Sequence, residues 1–197
     1  METALPWNIA LFHLINASAL PSPFMVLTAK FFAAYAPWLT IVISVLFWFR
    51  GTPHTRRTLM VAGIALGIGL SVNFSIARLI YVPRPFELGI GQTFLNHSLE
   101  TSFPSDHATF LWSLALSLMA SRNLRWLGRA IFFLGLATAW ARVYLGVHFP
   151  VDMVASFAIA FSAAGSAHFS APKLDRILFQ PVERLNKALL KSLAFFS

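Results

Sequence analysis

The sequence predicts an all-α integral membrane protein, one bundle of about five spanning helices. Three observations carry this. Hydrophobic residues make up 57% of the 197 residues and charged residues 11%, whereas soluble domains run near 45–50% apolar and about 25% charged. The mean hydropathy is +0.69. Three uncharged runs, 31–49, 58–77 and 153–172, are each 19 or 20 residues long, which matches a hydrocarbon core about 30 Å thick. The composition excludes a soluble globular domain, a disordered chain and a nucleic-acid-binding domain. The net charge of +8 is read instead as basic residues gathered on the cytoplasmic side of a membrane. With no cysteine in the chain, disulfides, thiolate metal sites and cysteine nucleophiles are excluded.

The elements follow in order within a single domain, 1–197. Residues 1–21 form an outer interfacial segment. They lack the basic start of a signal peptide and carry Glu2. The stretch Trp7–Asn16 is apolar but short, so it is expected to lie flat on the outer surface. Spans are expected at about 22–49, 57–82, 105–121, 126–146 and 150–171. The third and fourth hold uncharged runs of only 14 and 12 residues, 108–121 and 130–141. They reach membrane length when extended to their flanks at about 1.5 Å per residue. Residues 172–197 form the tail. Leu185, Leu189 and Leu193 repeat every four residues beside Arg184, Lys187 and Lys191, the pattern of an amphipathic helix on the cytoplasmic face. Trp48 and Trp126 near the inner face, and Tyr81 and Tyr144 near the outer, fit interfacial belts.

Basic residues orient the bundle. With the N-terminus outside, 11 of the 15 Lys and Arg fall in cytoplasmic segments: Arg50, Arg56, Arg57, Arg122, Arg125, Arg129, Lys173, Arg176, Arg184, Lys187 and Lys191. Lys30 and Arg78 lie inside spans, and only Arg84 and Arg142 lie outside. The positive-inside rule then selects N-out, C-in, in a cell's inner or plasma membrane.

Chemistry-bearing residues recur at the outer ends of the spans. Arg84-Pro85 follows the second, Pro104-Ser105-Asp106-His107 opens the third, Arg142 ends the fourth, and His148 and Asp152 flank the start of the fifth. Two guanidiniums can clamp a phosphoryl group in bidentate fashion and absorb its charge. Ser105 stands where the third helix begins, so nearby N–H groups and the helix dipole favour an anion. One histidine can attack phosphorus while a second protonates the leaving oxygen. Asp152, four residues after His148, can hold the other imidazole nitrogen.

These residues resemble the three signature motifs of the type-2 phosphatidic acid phosphatase superfamily: Arg84-Pro85, Pro104-Ser105-Asp106-His107, and Arg142-x5-His148-x3-Asp152. Their order and spacing match over about 70 residues. The flanks Phe103–His107, Leu145–Asp152 and Leu14-Ile15-Asn16-Ala17 are similar to the bacterial undecaprenyl-diphosphatases of that superfamily. The resemblance implies that His148 is a nucleophile forming a phosphohistidine, that Asp152 orients it, and that His107 is the general acid. It implies that Arg84, Arg142 and the Ser105 region bind the phosphoryl group, that no metal or other cofactor takes part, and that the partner is a polyprenyl diphosphate among membrane lipids.

The chain departs from the superfamily pattern. The first motif's lysine position holds Ala77, and the residue before Arg142 is Ala141 where serine is usual. Ionisable residues inside a span are costly, and Arg78 and Lys30 are the intramembrane cations able to replace the lysine. Lys30, about 12 Å below the outer end of its span, is favoured slightly because its side chain can stretch up to the site from below, whereas Arg78, nearer the surface, could as easily face lipid headgroups. Asp106 replaces a common glycine and could accept from an arginine or cap the helix. Glu87, Asn96, His97 and Glu100 lie in the long 83–104 loop and read as plain surface; His13, His54 and His168 read as structural. The leading function is hydrolysis of undecaprenyl diphosphate. Alternatives are another lipid phosphatase or phosphotransferase, or a transporter that binds lipid phosphate without cleaving it. The histidine pair discriminates, because binding alone needs only the arginines.

Overall fold

A computed structural model describes residues 5–195; of the side chains beyond Asn186, only that of Ala188 is described. Glu2 therefore lies outside the described residues. The described chain is helical, without a strand: α1 (Pro6–Ile15), α2 (Pro23–Arg50), α3 (Pro53–Leu79), α4 (Asp106–Met119), α5 (Arg125–Tyr144), α6 (Pro150–Leu174) and α7 (Gln180–Phe195). Four of the seven begin at a proline, where the missing N–H has no helical partner to lose. That explains why α3 starts four residues before the expected 57. Pro53 opens it and Thr52 Oγ1 accepts from Thr55 N at 3.2 Å. It ends at Leu79 rather than 82, because the backbone turns extended ahead of Pro83 and Pro85.

Three helices among the described residues are long and apolar enough to cross a membrane: α2, α3 and a continuous helix from Pro150 to Asn186. The 14-residue α4 is about 21 Å long. It is also the helix least exposed to surroundings, packed between α3, α5 and α6 with nine of its residues buried.

The bundle is small inside and large outside, as expected where lipid tails are as apolar as any core. α2 turns Ala29, Ala33, Ala36 and Thr40 inward, spaced by four, three and four, and lays the first two against Ala141 and Leu145. α6 buries Ala160, Ala163, Ala164, Ala167 and Ala171. A Cβ on Gly135 would come within 2.6 Å of Trp112 Nε1, so α5 meets α4 at a distance only glycine permits. Phe31, Phe133, Phe161 and Phe169 point outward.

The two ends are tied to the bundle more closely than flat-lying segments would be. In α1, Phe12 is fully buried and its ring packs on Phe149, while Asn8 Oδ1 accepts from Val151 N at 3.0 Å. At the other end, α6 runs through a π-helical turn, Asp175–Phe179, straight into α7. The start of the expected tail is therefore a continuation of the last long helix. It is pinned to the α2–α3 corner: Glu183 takes a bidentate pair from the buried Arg56 at 2.7 and 2.8 Å, and Asp175 pairs with Arg57 at 2.9 Å. Leu185 is exposed there; the side chains of Lys187, Leu189, Lys191 and Leu193 lie outside the described residues.

The 83–104 loop is likewise anchored. Asn16 Nδ2 donates to the carbonyls of Gln92 and Tyr144, at 2.9 and 3.0 Å, and its Oδ1 accepts from Gln92 N at 2.7 Å. Phe94 N donates to Leu145 O at 3.1 Å. Gly146 has φ +78°, and a Cβ there would stand 2.2 Å from Gln92 O. Only glycine lets the loop cross the turn that leads from α5 to His148.

Candidate active site

The turn at 145–149 hangs His148 between α5 and α6, where the residue is 2% exposed. Its Nδ1 lies 3.1 Å from Asp152 Oδ2, and its Nε2 lies 3.3 Å from Arg84 Nη1. A guanidinium can only donate, so Nε2 is the acceptor. The ring proton then sits on Nδ1 and donates to the carboxylate. Burial, then the positive fields of Arg142 and Arg84, hold this imidazole well below the ordinary histidine range. His148 is thus neutral, with a lone pair on Nε2.

Arg84 is buried and held by carbonyls on three sides. Its Nε donates to Glu100 O at 3.0 Å, Nη2 to Thr101 O at 3.1 Å and Nη1 to Val147 O at 2.9 Å. Its backbone is fixed too, because Glu87 Oε1 accepts from Arg84 N at 2.9 Å at the head of the short turn Pro85–Leu88. Pro85 is buried as the first residue of that turn. Burial lowers the Arg84 pKa, an effect opposed chiefly by Asp152 and Glu100.

Arg142, at the end of α5, is 2% exposed. Its Nη1 donates to Ala33 O at 3.3 Å and its Nη2 to His97 Nε2 at 2.9 Å, while its Nε has no partner among the described residues. His97 stands edge-on to His148, with ring centroids 6.4 Å apart. Burial, then Arg84 and Arg142, lower its pKa, which suits its place as acceptor from Arg142.

These groups line a cavity of about 920 Å³. Arg84, His97, His107, Arg142 and His148 stand in it together with Asp106. The remainder of the wall is largely apolar: Pro37, Trp38 and Ile41 of α2, Leu70, Phe74 and Ala77 of α3, and Phe110 of α4. A charged cluster able to grip a phosphate therefore opens onto a surface able to hold a hydrocarbon.

The other expected residues are distributed unevenly. Arg78 lines the cavity, with its guanidinium 4.3 Å from the centroid of the Phe74 ring. Lys30 does not. It is exposed beside the inward-facing Ala29, since one residue along a helix turns a side chain about 100° away. The cavity wall holds Ala77, the position at which the resemblance predicts lysine. Among the described residues Asp106 neither pairs with an arginine nor caps its helix; its Oδ1 accepts from Asn73 Nδ2 at 3.0 Å, and Asn73 Oδ1 accepts in turn from Thr109. Ser105 is fully buried outside the cavity lining. Its N–H donates to Ser156 Oγ at 2.9 Å, and its own Oγ is unpartnered among the described residues.

Two contributors went unseen in the sequence. His97 read as plain surface because nothing in its spacing ties it to Arg142, 45 residues away. Ser102, which donates to Asp152 at 2.5 Å, is one hydroxyl in a polar loop. Only the adjoining Phe103–His107 run hinted at its neighbourhood.

Comparisons with known proteins place the chain among relatives. The family model described as PAP2 superfamily matches residues 58–174. The Escherichia coli (strain K12) protein YbjG is 34% identical over 176 residues, 89% of this chain and 88% of its own. The undecaprenyl-diphosphatase BcrC of Bacillus subtilis (strain 168) is 31% identical, covering 89% of this chain and 87% of its own. The crystal structure of LpxE from Aquifex aeolicus superposes with a TM-score of 0.70 at 21% identity, over 84% of this chain and 96% of that one. That likeness extends to the fold.

Proposed function

Since the chain belongs to the PAP2 superfamily, we propose that it is a membrane lipid phosphatase that hydrolyses undecaprenyl diphosphate to undecaprenyl phosphate and inorganic phosphate. One observation carries this most directly: a neutral, buried imidazole, its Nε2 beside Arg84, lines one cavity together with Arg84, Arg142 and a set of apolar side chains. The substrate follows the relatives of similar length, one of which is named an undecaprenyl-diphosphatase.

The chemistry runs in two steps. His148 Nε2 attacks the terminal phosphorus, and the bond from that phosphorus to the bridging oxygen breaks. His107 gives the bridging oxygen its proton, which releases the lipid monophosphate. A water then attacks the phosphohistidine with His107 accepting its proton, and the P–N bond breaks to free phosphate. Arg84 and Arg142 hold the equatorial oxygens, and Asp152 balances the charge that His148 acquires.

Phosphate release by the purified protein from a panel of lipid phosphates tests the reading. Turnover of undecaprenyl diphosphate should exceed that of phosphatidate, phosphatidylglycerophosphate and a lipid A phosphate, and should persist in EDTA. A preference for one of the other lipids would reassign the substrate. A strict need for Mg²⁺ would sink the phosphohistidine mechanism, because histidine and arginine here supply both nucleophile and charge.

A second phosphate needs a further cation, and Arg78 is placed to supply it. Arg78→Met should lower kcat or raise KM at least tenfold for the diphosphate lipid, and less for a monophosphate lipid, while Lys30→Met should leave both unchanged. The reverse pattern would return the role to Lys30.

The positive-inside arrangement further supports five spans, N-out and C-in, with the site open to the extracytoplasmic side. The chain has no cysteine, so a single Asn96→Cys, exposed on the 83–104 loop, reports on its side alone. It should react with a membrane-impermeant thiol reagent in intact cells. Labelling only after lysis would invert the topology.

A further inference from the structure

The carboxylate that holds His148 is itself held by a residue outside the three motifs. Asp152 Oδ2 takes three donors: Ser102 Oγ at 2.5 Å, Phe149 N at 2.9 Å and His148 Nδ1 at 3.1 Å. Its Oδ1 is buried without a partner among the described residues. One oxygen position thus carries the whole network, and a carboxylate rotated part-way about its Cβ–Cγ bond would move away from the imidazole. Phe149 N reaches the carboxylate from the helix start that carries Asp152 itself, while Ser102 reaches it from a different segment of the chain. Ser102 is fully buried, and its backbone N donates to Val82 O at 2.8 Å, which fixes the position of its side chain.

We propose that Ser102 is a positioning residue for the reaction: its hydroxyl locks the Asp152 carboxylate in the one orientation that aims His148 Nε2 into the cavity. The inference rests on the phosphohistidine reading above. A hydroxyl has one proton to donate, and an ionised carboxylate oxygen has none, so the Ser102 proton is committed to Oδ2. The remaining lone pairs of Ser102 Oγ then face His148 Nδ1 at 3.4 Å. When Nε2 bonds to phosphorus the ring becomes cationic, and its Nδ1–H, 3.1 Å from Asp152 Oδ2, depends on the carboxylate that Ser102 holds in place. Hydrogen bonds to an ionised group are the strong ones. Ser102 therefore contributes more in the transition state than in the resting enzyme, and its loss is felt in kcat.

The test is Ser102→Ala, with a polyprenyl diphosphate in detergent as substrate, beside His148→Ala, Asp152→Ala and the double variant Ser102→Ala/Asp152→Ala. Ser102→Ala should lower kcat between tenfold and a hundredfold, with KM within twofold and an unchanged unfolding temperature. Ser102→Thr, which keeps the hydroxyl, should recover most of that loss. In single-turnover assays the double variant should be no slower than Asp152→Ala, because the serine acts through the carboxylate. The proposal falls if Ser102→Ala stays within threefold of the parent, if its loss appears in KM, or if the two losses multiply. Where Asp152→Ala turnover is undetectable, the division between kcat and KM decides. Phosphate release that survives His148→Ala overturns the phosphohistidine reading and this one with it. A silent His148→Ala beside a fully active Ser102→Ala overturns this one alone.

Discussion

His148→Ala should abolish phosphate release while the protein still folds. The imidazole is the one neutral nitrogen nucleophile held at an arginine on one side and a carboxylate on the other. Without it the remaining groups can bind a phosphate and offer a proton but cannot form the covalent intermediate. Removing a nucleophile from a cooperating set costs roughly a million-fold in a comparable hydrolase, so turnover should fall to background. Folding is spared because the turn is built by main-chain bonds. Val147 N donates to Arg142 O at 3.1 Å, and Phe149 N still donates to Asp152. The measurement is phosphate release set against unfolding temperature and extraction yield. A variant that keeps more than about a thousandth of the parent rate, well above the background expected once a nucleophile is lost, requires another nucleophile.

The arginines carry the second-largest effect. Arg84→Ala and Arg142→Ala should each cost about 2–4 kcal/mol of transition-state stabilisation, the range for deleting a donor aimed at developing negative charge. That is roughly thirtyfold to a thousandfold in kcat/KM. Arg84 comes pre-set, since three main-chain carbonyls already hold its fork with Nη1 at His148 Nε2. Arg142 lines the same cavity, with Nη2 shared with His97 and Nε unpartnered among the described residues, so its fork has donor capacity left over. A loss under about tenfold for either variant, below that range, removes it from the clamp. Unfolding temperatures separate this from a packing defect, since both side chains are buried.

Much of the architecture could be read from local chemistry. Long uncharged runs announce α2, α3 and α6, because a helix in hydrocarbon must be apolar along its length whatever it packs against. Proline marks the helix starts for an equally local reason, its missing N–H. The four-residue step from His148 to Asp152 forecasts their pairing, because Asp152 stands in the first turn of α6 and reaches back to the turn just ahead of it. The convergence of Arg84, His107, Arg142 and His148 on one cavity follows from their place at or just beyond helix ends. Less was legible for α4, whose 14 residues sit among other helices rather than in lipid; its hydropathy records packing as much as a membrane.

What the sequence alone determined was therefore whatever depends on neighbours a few residues away: the helices, their apolar lengths, the motif spacings and the residue types a phosphate site needs. The tertiary structure alone decided which side chains share a space. It turned Lys30 outward and Arg78 into the cavity, a choice set by the rotation of α2 and α3 rather than by depth along them. It gave Asp106 to Asn73, 33 residues away, and bound Glu183 to Arg56, 127 residues away. It folded the 83–104 loop so that His97 reaches Arg142 and Ser102 reaches Asp152. Periodicity cannot reveal such pairings. They join segments with no common helical phase, and they are set by where the packed bundle and the anchored loop leave room for a donor to meet an acceptor.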